Sequence, residues 1–184
     1  MLFRSQEVLT HAGVLERFLL DPRQEPRFTQ QDVNLVRDSW MEMWSLDSSG
    51  GTDKARAEAQ DLVLKPQREG GGNNVYKDSI SPFLDTLPDS EREAWIAMRL
   101  IHPPPALGNY LVRSGSGEEG AGRRDVISEL GIFGWALWSV DGAGTGAQVK
   151  EEREVGWLVR TKGKESNEGG VAAGFSVLDS VMLV

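Results

Sequence analysis

Leu62-Val63-Leu64-Lys65-Pro66-Gln67-Arg68-Glu69-Gly70-Gly71-Gly72-Asn73-Asn74 is the stretch whose reading decides the fold. Its opening apolar run has the pattern of a short strand buried on both faces. Three glycines then remove every Cβ, so backbone N–H groups can converge on an anion. Lys65 can neutralise phosphate charge. Glu69 can hold Mg²⁺, which takes carboxylate, water and phosphate oxygens. Asn73 and Asn74 add uncharged donors and acceptors. The same residues also suit a flexible strand-to-helix turn with Lys65 and Glu69 solvated. Two other phosphate loops are excluded. The G-x-x-x-x-G-K-[ST] order is missing, and no G-x-G-x-x-G follows a strand.

Upstream of this stretch the chain reads as helical. Val8, Leu9, Leu15, Phe18 and Leu19 form one apolar face of a helix over about residues 5–20. Thr29, with Asp32 three residues on, is the N-cap signal for a helix carrying Val33, Val36, Trp40 and Met43 at helical spacing. Ser48 to Thr52 is a turn, and 53–60 a short helix. Downstream, helices are expected over 78–87 and 89–94, and strands over 95–101 and 110–112. Strands follow over 126–140 and 155–161, with a last β segment bracketed by Gly169-Gly170 and Gly174. Gly115 to Gly122 and Gly142 to Gly146 read as surface loops. Helices in front and strands behind give an α+β or mixed α/β class.

Composition narrows the function. The chain has 184 residues, 20 Lys+Arg, 28 Asp+Glu, two His and no Cys. Without cysteine there is no disulfide, thiolate metal site or Cys nucleophile. A net charge of −8 argues against general nucleic-acid binding, which needs a basic surface. His11 and His102 read as surface or satisfied residues, and the six Trp as core. The longest apolar run, 130–140, is too short to span a bilayer, and the N-terminus is unlike a signal peptide. A cytoplasmic protein with no membrane partner is expected. Glycine is enriched, at 21 residues, about 11% against roughly 7% in average proteins.

Three blocks carry a family resemblance. Leu64 to Asn74 resembles the glycine-rich signature of eukaryotic glutathione synthetases. Ile127-Ser128-Glu129-Leu130-Gly131-Ile132-Phe133-Gly134 resembles a second block of that family. Leu158-Val159-Arg160-Thr161-Lys162, running on to Gly169-Gly170-Val171-Ala172-Ala173-Gly174, resembles a third. Their order and separations fit, and the weaker Gly13 to Leu19 segment resembles the family too. The resemblance spans nearly the whole chain but only the C-terminal part of the family's usual length. It implies an incomplete ATP-grasp architecture with mixed or antiparallel sheets and helices. Residues 1–60 would be a helical segment leading into an ATP-grasp region at 61–184. That region would hold a glycine-rich loop at 65–74 and a substrate lid loop at 163–174. The implied reaction joins γ-glutamylcysteine to glycine at the expense of ATP. The γ-glutamylcysteine carboxylate is activated as an acyl phosphate and attacked by the glycine amine. Mg²⁺ is the implied metal, and a homodimer the implied assembly.

Residue roles follow from the same resemblance. Lys65 matches a lysine on the ATP phosphates, and Glu69 a Mg²⁺ ligand. Pro66, Gln67, Arg68, Gly70, Gly71, Gly72, Asn73 and Asn74 match the loop that closes over the triphosphate. Tyr76 matches a nucleotide contact. Met98, Arg99, Leu100 and Ile101 match the strand lining the adenine pocket, where the family more often has an acid followed by a base. Met98 and Ile101 also read as ordinary core strand. Glu129 matches a carboxylate at the nucleotide, or else pairs with a nearby Arg. Arg160 matches the arginine that holds a substrate carboxylate, a task suited to its planar fork. Lys162 matches an ATP contact, and Glu168 stands where the family usually has Asp. Val171 and Ala172 match backbone contacts to substrate. Arg4 lies about where a further ATP-contacting lysine would fall, a loose match that assigns nothing. The tail, Ser180 to Val184, replaces a proline-bearing one. Two functional readings result: the C-terminal catalytic region of a glutathione synthetase, or a non-catalytic truncated remnant that at most binds nucleotide or a partner subunit.

Overall fold

The computed structural model describes residues 2–21, 28–68, 72–104, 108–111, 122–140, 147–167, 169–171 and 174–180. Glu69, Gly70, Gly71, Glu168 and Ala172 lie outside the described residues, as do 142–146 and, of the loop expected at 115–122, all but Gly122, which is in a strand. The chain is α+β and divides into two compact units, residues 1–102 and 103–184.

The first unit opens with α1 (Leu2–Thr10) and α2 (Val14–Leu19). One helix is expected there, but Gly13 breaks it. Its φ of 79° is open to glycine and strained for other residues. Thr29 caps α3 (Gln30–Asp38) in a full capping box with Asp32, as the sequence reads. The helix ends sooner than its spacing implies. Met43, expected on its face, lies in the short strand β1 (Met43–Ser45). There it pairs with Met98, because a sheet edge offers a better partner than another helical turn.

After α4 (Gly51–Ala57), β2 (Leu62–Pro66) and β3 (Val75–Tyr76) form the glycine-rich hairpin. Pro82 sits in the first turn of α5 (Ile80–Thr86), where its missing N–H costs no helix bond. The next predicted helix is a 3₁₀ segment, Asp89–Ala94, leading into β4 (Trp95–Arg99). The antiparallel sheet order is β1-β4-β2-β3.

Strand alternation divides this sheet into two faces. Leu62, Leu64 and Ala97 join Leu46, Ala55, Ile80, Leu84 and Leu87 in the core. Phe83 and Trp95 pack against it, with ring centroids 4.5 Å apart. The other face carries Val63, Lys65, Ile96, Met98 and Tyr76, and α1 lies against β1 and β4.

The second unit is an antiparallel sheet ordered β5-β6-β7-β8. Its strands are β5 (Gly108–Leu111), β6 (Gly122–Val140), β7 (Ala147–Gly163) and β8 (Ser176–Asp179), so the last strand follows Gly174 instead of lying between Gly169-Gly170 and Gly174. β6 and β7 are longer than their sequence signals. They form a ribbon with register shifts at Phe133/Gly134 and Leu137/Trp138. The tryptophans divide accordingly. Trp44 and Trp95 pack on the first core, whereas Trp135, Trp138 and Trp157 are exposed on the ribbon, contrary to the core expectation. A two-stranded ribbon has a second layer only where a neighbouring element covers it.

Candidate functional site

In the first unit the site residues are sorted by register. Lys65 sits opposite Ile96, Tyr76 opposite Val63, and Val63 opposite Met98. Lys65, Tyr76 and Met98 therefore share one face of the sheet, opposite the packed core. The alternation of a strand alone produces this arrangement. Beyond β2, Gln67 is held at two points. Its N–H donates to the Ala94 carbonyl at 2.8 Å, and its Oε1 accepts from the Arg4 N–H at 2.7 Å. Arg68 donates to Asn73 Oδ1 across the base of the glycine-rich turn, and Asn74 Nδ2 donates to the Tyr76 hydroxyl at 3.1 Å. Gly72 has φ 77° and open space where a Cβ would point. This left-handed geometry is open to glycine and strained for other residues.

Arg99 belongs to the other face. It sits opposite Leu62, and its guanidinium reaches Glu42 at 2.8 Å and Glu58 at 2.6 Å. Lys54 joins Glu42 from α4 and stands 4.1 Å over the Trp44 ring. Lys54, and after it Arg99, hold the Glu42 carboxyl below the usual carboxylate range. The residue that departs from the family pattern is thus engaged in an ion-pair network on the face away from Lys65 and Met98. The Leu100 N–H donates to the Asp61 carbonyl at 2.7 Å. Ile101 lies beyond the strand and is 73% exposed, so its core reading fails; the buried residues of β4 are Ile96 and Ala97. The strand simply ends before Ile101 can enter the sheet.

In the second unit, Glu129 is paired directly with Arg160, and Ile127 with Lys162, across β6 and β7. Glu129, Arg160 and Lys162 therefore project from one face. Arg160 Nη2 lies 2.5 Å from Glu129 Oε1. Glu129 is exposed, and its partner is the arginine that the second of its two readings expects. The opposite face is closed by the buried Val159 and Thr161. There Thr161 donates to Asp179 Oδ2 at 2.7 Å and lies 2.8 Å from the Ser128 hydroxyl. Thr161 has one hydroxyl proton, so Ser128 must donate to Thr161. This chain of bonds pins β6, β7 and β8 and holds the strand that presents Arg160 and Lys162. In the 163–174 segment, the Gly174 N–H donates to the Val171 carbonyl at 3.0 Å, and Ser176 Oγ to the Gly169 carbonyl at 2.7 Å. Val171 thus sits in a hydrogen-bonded turn.

Some partners were not legible in the sequence. Arg4 donates its Nη1 to Ser45 Oγ and lies 3.6 Å from Asp47 through Nη2. Its only sequence signal is the loose family position. His11 and His102 are surface residues, as expected, and each meets a carboxylate. His11 Nε2 is 2.7 Å from Glu7, and His102 Nε2 is 3.3 Å from Asp61. Among the described residues no group of three or more His, Cys, Asp and Glu forms a metal cage. No described helix is long and apolar enough to cross a membrane.

Comparison with known proteins gives the same family as the motifs. Residues 4–183 match the family model described as eukaryotic glutathione synthase, ATP binding domain. The glutathione synthetase large chain of Schizosaccharomyces pombe is 35% identical over 97% of this chain and 33% of its own length. The chloroplastic glutathione synthetase of Arabidopsis thaliana is 39% identical over 97% of this chain and 30% of its own. The chain thus spans about a third of the length of the curated relatives it matches. A solved glutathione synthetase-like effector from Globodera pallida, in its apo form, covers 98% of this chain with a TM-score of 0.65 at 22% identity. That likeness shows the same α+β fold. With a family match over nearly its full length, the chain belongs to the eukaryotic glutathione synthase ATP-binding-domain family.

Proposed function

We propose that this chain is the ATP-binding part of a glutathione synthetase, in which γ-glutamylcysteine and glycine are joined through an acyl phosphate as ATP becomes ADP and phosphate. The observation that carries the reading is the shared face of Lys65, Tyr76 and Met98 beside the Gly72 turn. Lys65 is assigned to the triphosphate, Tyr76 and the Met98–Ile101 stretch to the nucleoside, and Gly70 to Asn74 to the loop over the phosphates. Glu69, one carboxylate beside two asparagines, is assigned to a Mg²⁺ ion that arrives with ATP and screens its charge. Glu129 and Lys162 are assigned to the nucleotide, and Arg160 to a substrate carboxylate. Arg160 must then exchange Glu129 for that carboxylate, a swap of one ion pair for another. Val171 and Ala172 are assigned to backbone contacts within a lid at 163–174, with Glu168 as its acid. The work of such residues is to position reactants and to neutralise developing phosphate charge. A cytoplasmic, homodimeric whole enzyme completes the proposal.

A second reading is a nucleotide-binding piece without catalysis. Titration calorimetry with ATP and Mg²⁺ on the chain tests both readings. Binding that falls about ten-fold or more in Lys65→Ala supports the phosphate assignment, and equal affinity overturns it. Glutathione formation from γ-glutamylcysteine, glycine and ATP separates the catalytic reading from the second.

A further inference from the structure

The ribbon of the second unit has two long outer edges, and they differ. β5 covers β6 only at Gly122–Asp125, and β8 covers β7 only at Val159–Lys162. Beyond those contacts the outer edge of each strand has no strand partner among the described residues. On β7 the uncovered stretch carries Lys150, Glu151, Glu152, Arg153 and Glu154, the kind of charge that guards an edge against pairing. On β6 the stretch from Leu130 to Val140 has no charged residue and no proline. Its seven large apolar side chains are each 42–62% exposed. Together they leave on the order of several hundred Å² of apolar surface, approaching the roughly 800 Å² per partner of a stable interface. The register shifts of the ribbon place their extra residues, Lys150 and Val155, in β7, so β6 runs on unbroken.

The same stretch is symmetric in side-chain size about Trp135. Outward from it, Gly134 matches Ala136, Phe133 matches Leu137, Ile132 matches Trp138, Gly131 matches Ser139 and Leu130 matches Val140. One register of an antiparallel self-pair therefore sets small against small and large against large. Moving its centre by one residue sets Gly131 against Leu137, or Gly134 against Trp138. A two-fold contact needs a surface complementary to itself, and this stretch is one. We infer that β6 pairs edge to edge with β6 of a second copy of this chain, antiparallel, with the two-fold axis at Trp135. Directly opposed residues share a face, so Leu130–Val140 and Ile132–Trp138 meet on one face, and Phe133–Leu137 and Trp135–Trp135 on the other. β5 does not obstruct the pair, because this register carries Gly122–Asp125 past the end of the opposing strand at Val140. Association closes both β6 edges at once, so it stops at two copies. The inference rests on the homodimeric reading for the presence of a second copy, and supplies the surface which that reading lacks. In a chain diluted to a monomer the stretch stays exposed and adds little to folding.

Sedimentation velocity on the full 20.3 kDa chain reads the pair. Wild type is expected to sediment as a dimer, with a dissociation constant that rises about ten-fold or more in Trp135→Lys, where like charges face each other. Val155→Lys puts the same charge on β7, at a site 59% exposed, and is expected to leave association unchanged. Circular dichroism checks that both variants fold; if Trp135→Lys does not, cross-linking decides. The chain has no Cys of its own, so each introduced one reports alone. Opposed Cα atoms lie about 4.5–5.5 Å apart, within disulfide reach, so oxidised Trp135→Cys is expected to run as a covalent dimer. Ser139→Cys lies about 27 Å from its copy in this register. It is expected to stay unlinked by itself and to link to Gly131→Cys when the two are mixed. A wild type that is monomeric at every concentration, or that associates without limit, overturns the pairing. A dimer that persists in folded Trp135→Lys, or that links through Ser139→Cys as readily as through Trp135→Cys, overturns this surface and leaves the homodimeric reading standing.

Discussion

The two units solve the problem of burial differently. In residues 1–102 the sheet has a packed core on one face, built on Leu62, Leu64, Ile80 and Ala97, and α1 against the other. In residues 103–184 the buried apolar side chains among the described residues are Val126 and Val159. β5 covers only Gly122–Asp125 of β6, and β8 only Val159–Lys162 of β7. Beyond those contacts Leu130, Ile132, Trp138 and Trp157 are each more than half exposed. The first unit thus holds its candidate site residues against a core. The second holds Arg160 and Lys162 by strand pairing and by the Ser128–Thr161–Asp179 bonds. Precision in the second unit comes from the ladder, not from a hydrophobic layer.

The largest expected effect tests that contrast directly. Leu64→Ala removes a fully buried side chain from the centre of the first sheet and is expected to cost about 2–5 kcal/mol in urea denaturation. Ile132→Ser, at a site 61% exposed, is expected to stay within about 0.5 kcal/mol. Equal costs at the two positions would break the comparison. A middle-sized effect comes from Thr161→Val, which keeps the shape and deletes the hydroxyl. It leaves Ser128 and Asp179 without their shared partner and is expected to cost about 1–3 kcal/mol. A neutral Thr161→Val would show that the second unit does not depend on that bond chain.

The smallest effect is electrostatic and belongs to the first unit. Lys54 and Arg99 hold Glu42 below its ordinary range, and Ser45, with Arg4 behind it, does the same for Asp47. Carboxylates lowered in this way stabilise the fold above their unfolded pKa, near 4 to 4.5, and lose that contribution as pH falls through the lowered values. Thermal melts are expected to be flat from about pH 7 to 5 and to decline below, with Glu42→Gln reducing the decline. Both side chains are more than a third exposed, so the contribution is less than about 1 kcal/mol. An acid limb unaffected by Glu42→Gln would locate the sensitivity elsewhere.

Local features were legible in the sequence because their causes are local. Thr29 and Asp32 form their capping box across three residues, and Leu62-Val63-Leu64 becomes a buried strand because nothing polar interrupts it. The family and the residues of its motifs were legible for the same reason: they are contiguous. What sequence alone could not supply was pairing over distance. Met43 fits the face of α3 by spacing, but a strand partner 55 residues away claims it, since ladder bonds outweigh one more helical turn. The six tryptophans look alike as residues, and only the tertiary fold sends Trp44 and Trp95 to the core and Trp157 to an open ribbon. Glu129 reads as a nucleotide carboxylate or as the partner of a nearby Arg, and only strand pairing names that arginine as Arg160. Arg99 reads as a change in the adenine pocket, whereas register turns it to the other face, toward Glu42 and Glu58. The sequence by itself determined which short segments form, which motifs they carry and which family they mark. The tertiary structure alone decided which side chains share a face and which charges meet, because alternation and register act between segments that the sequence keeps far apart.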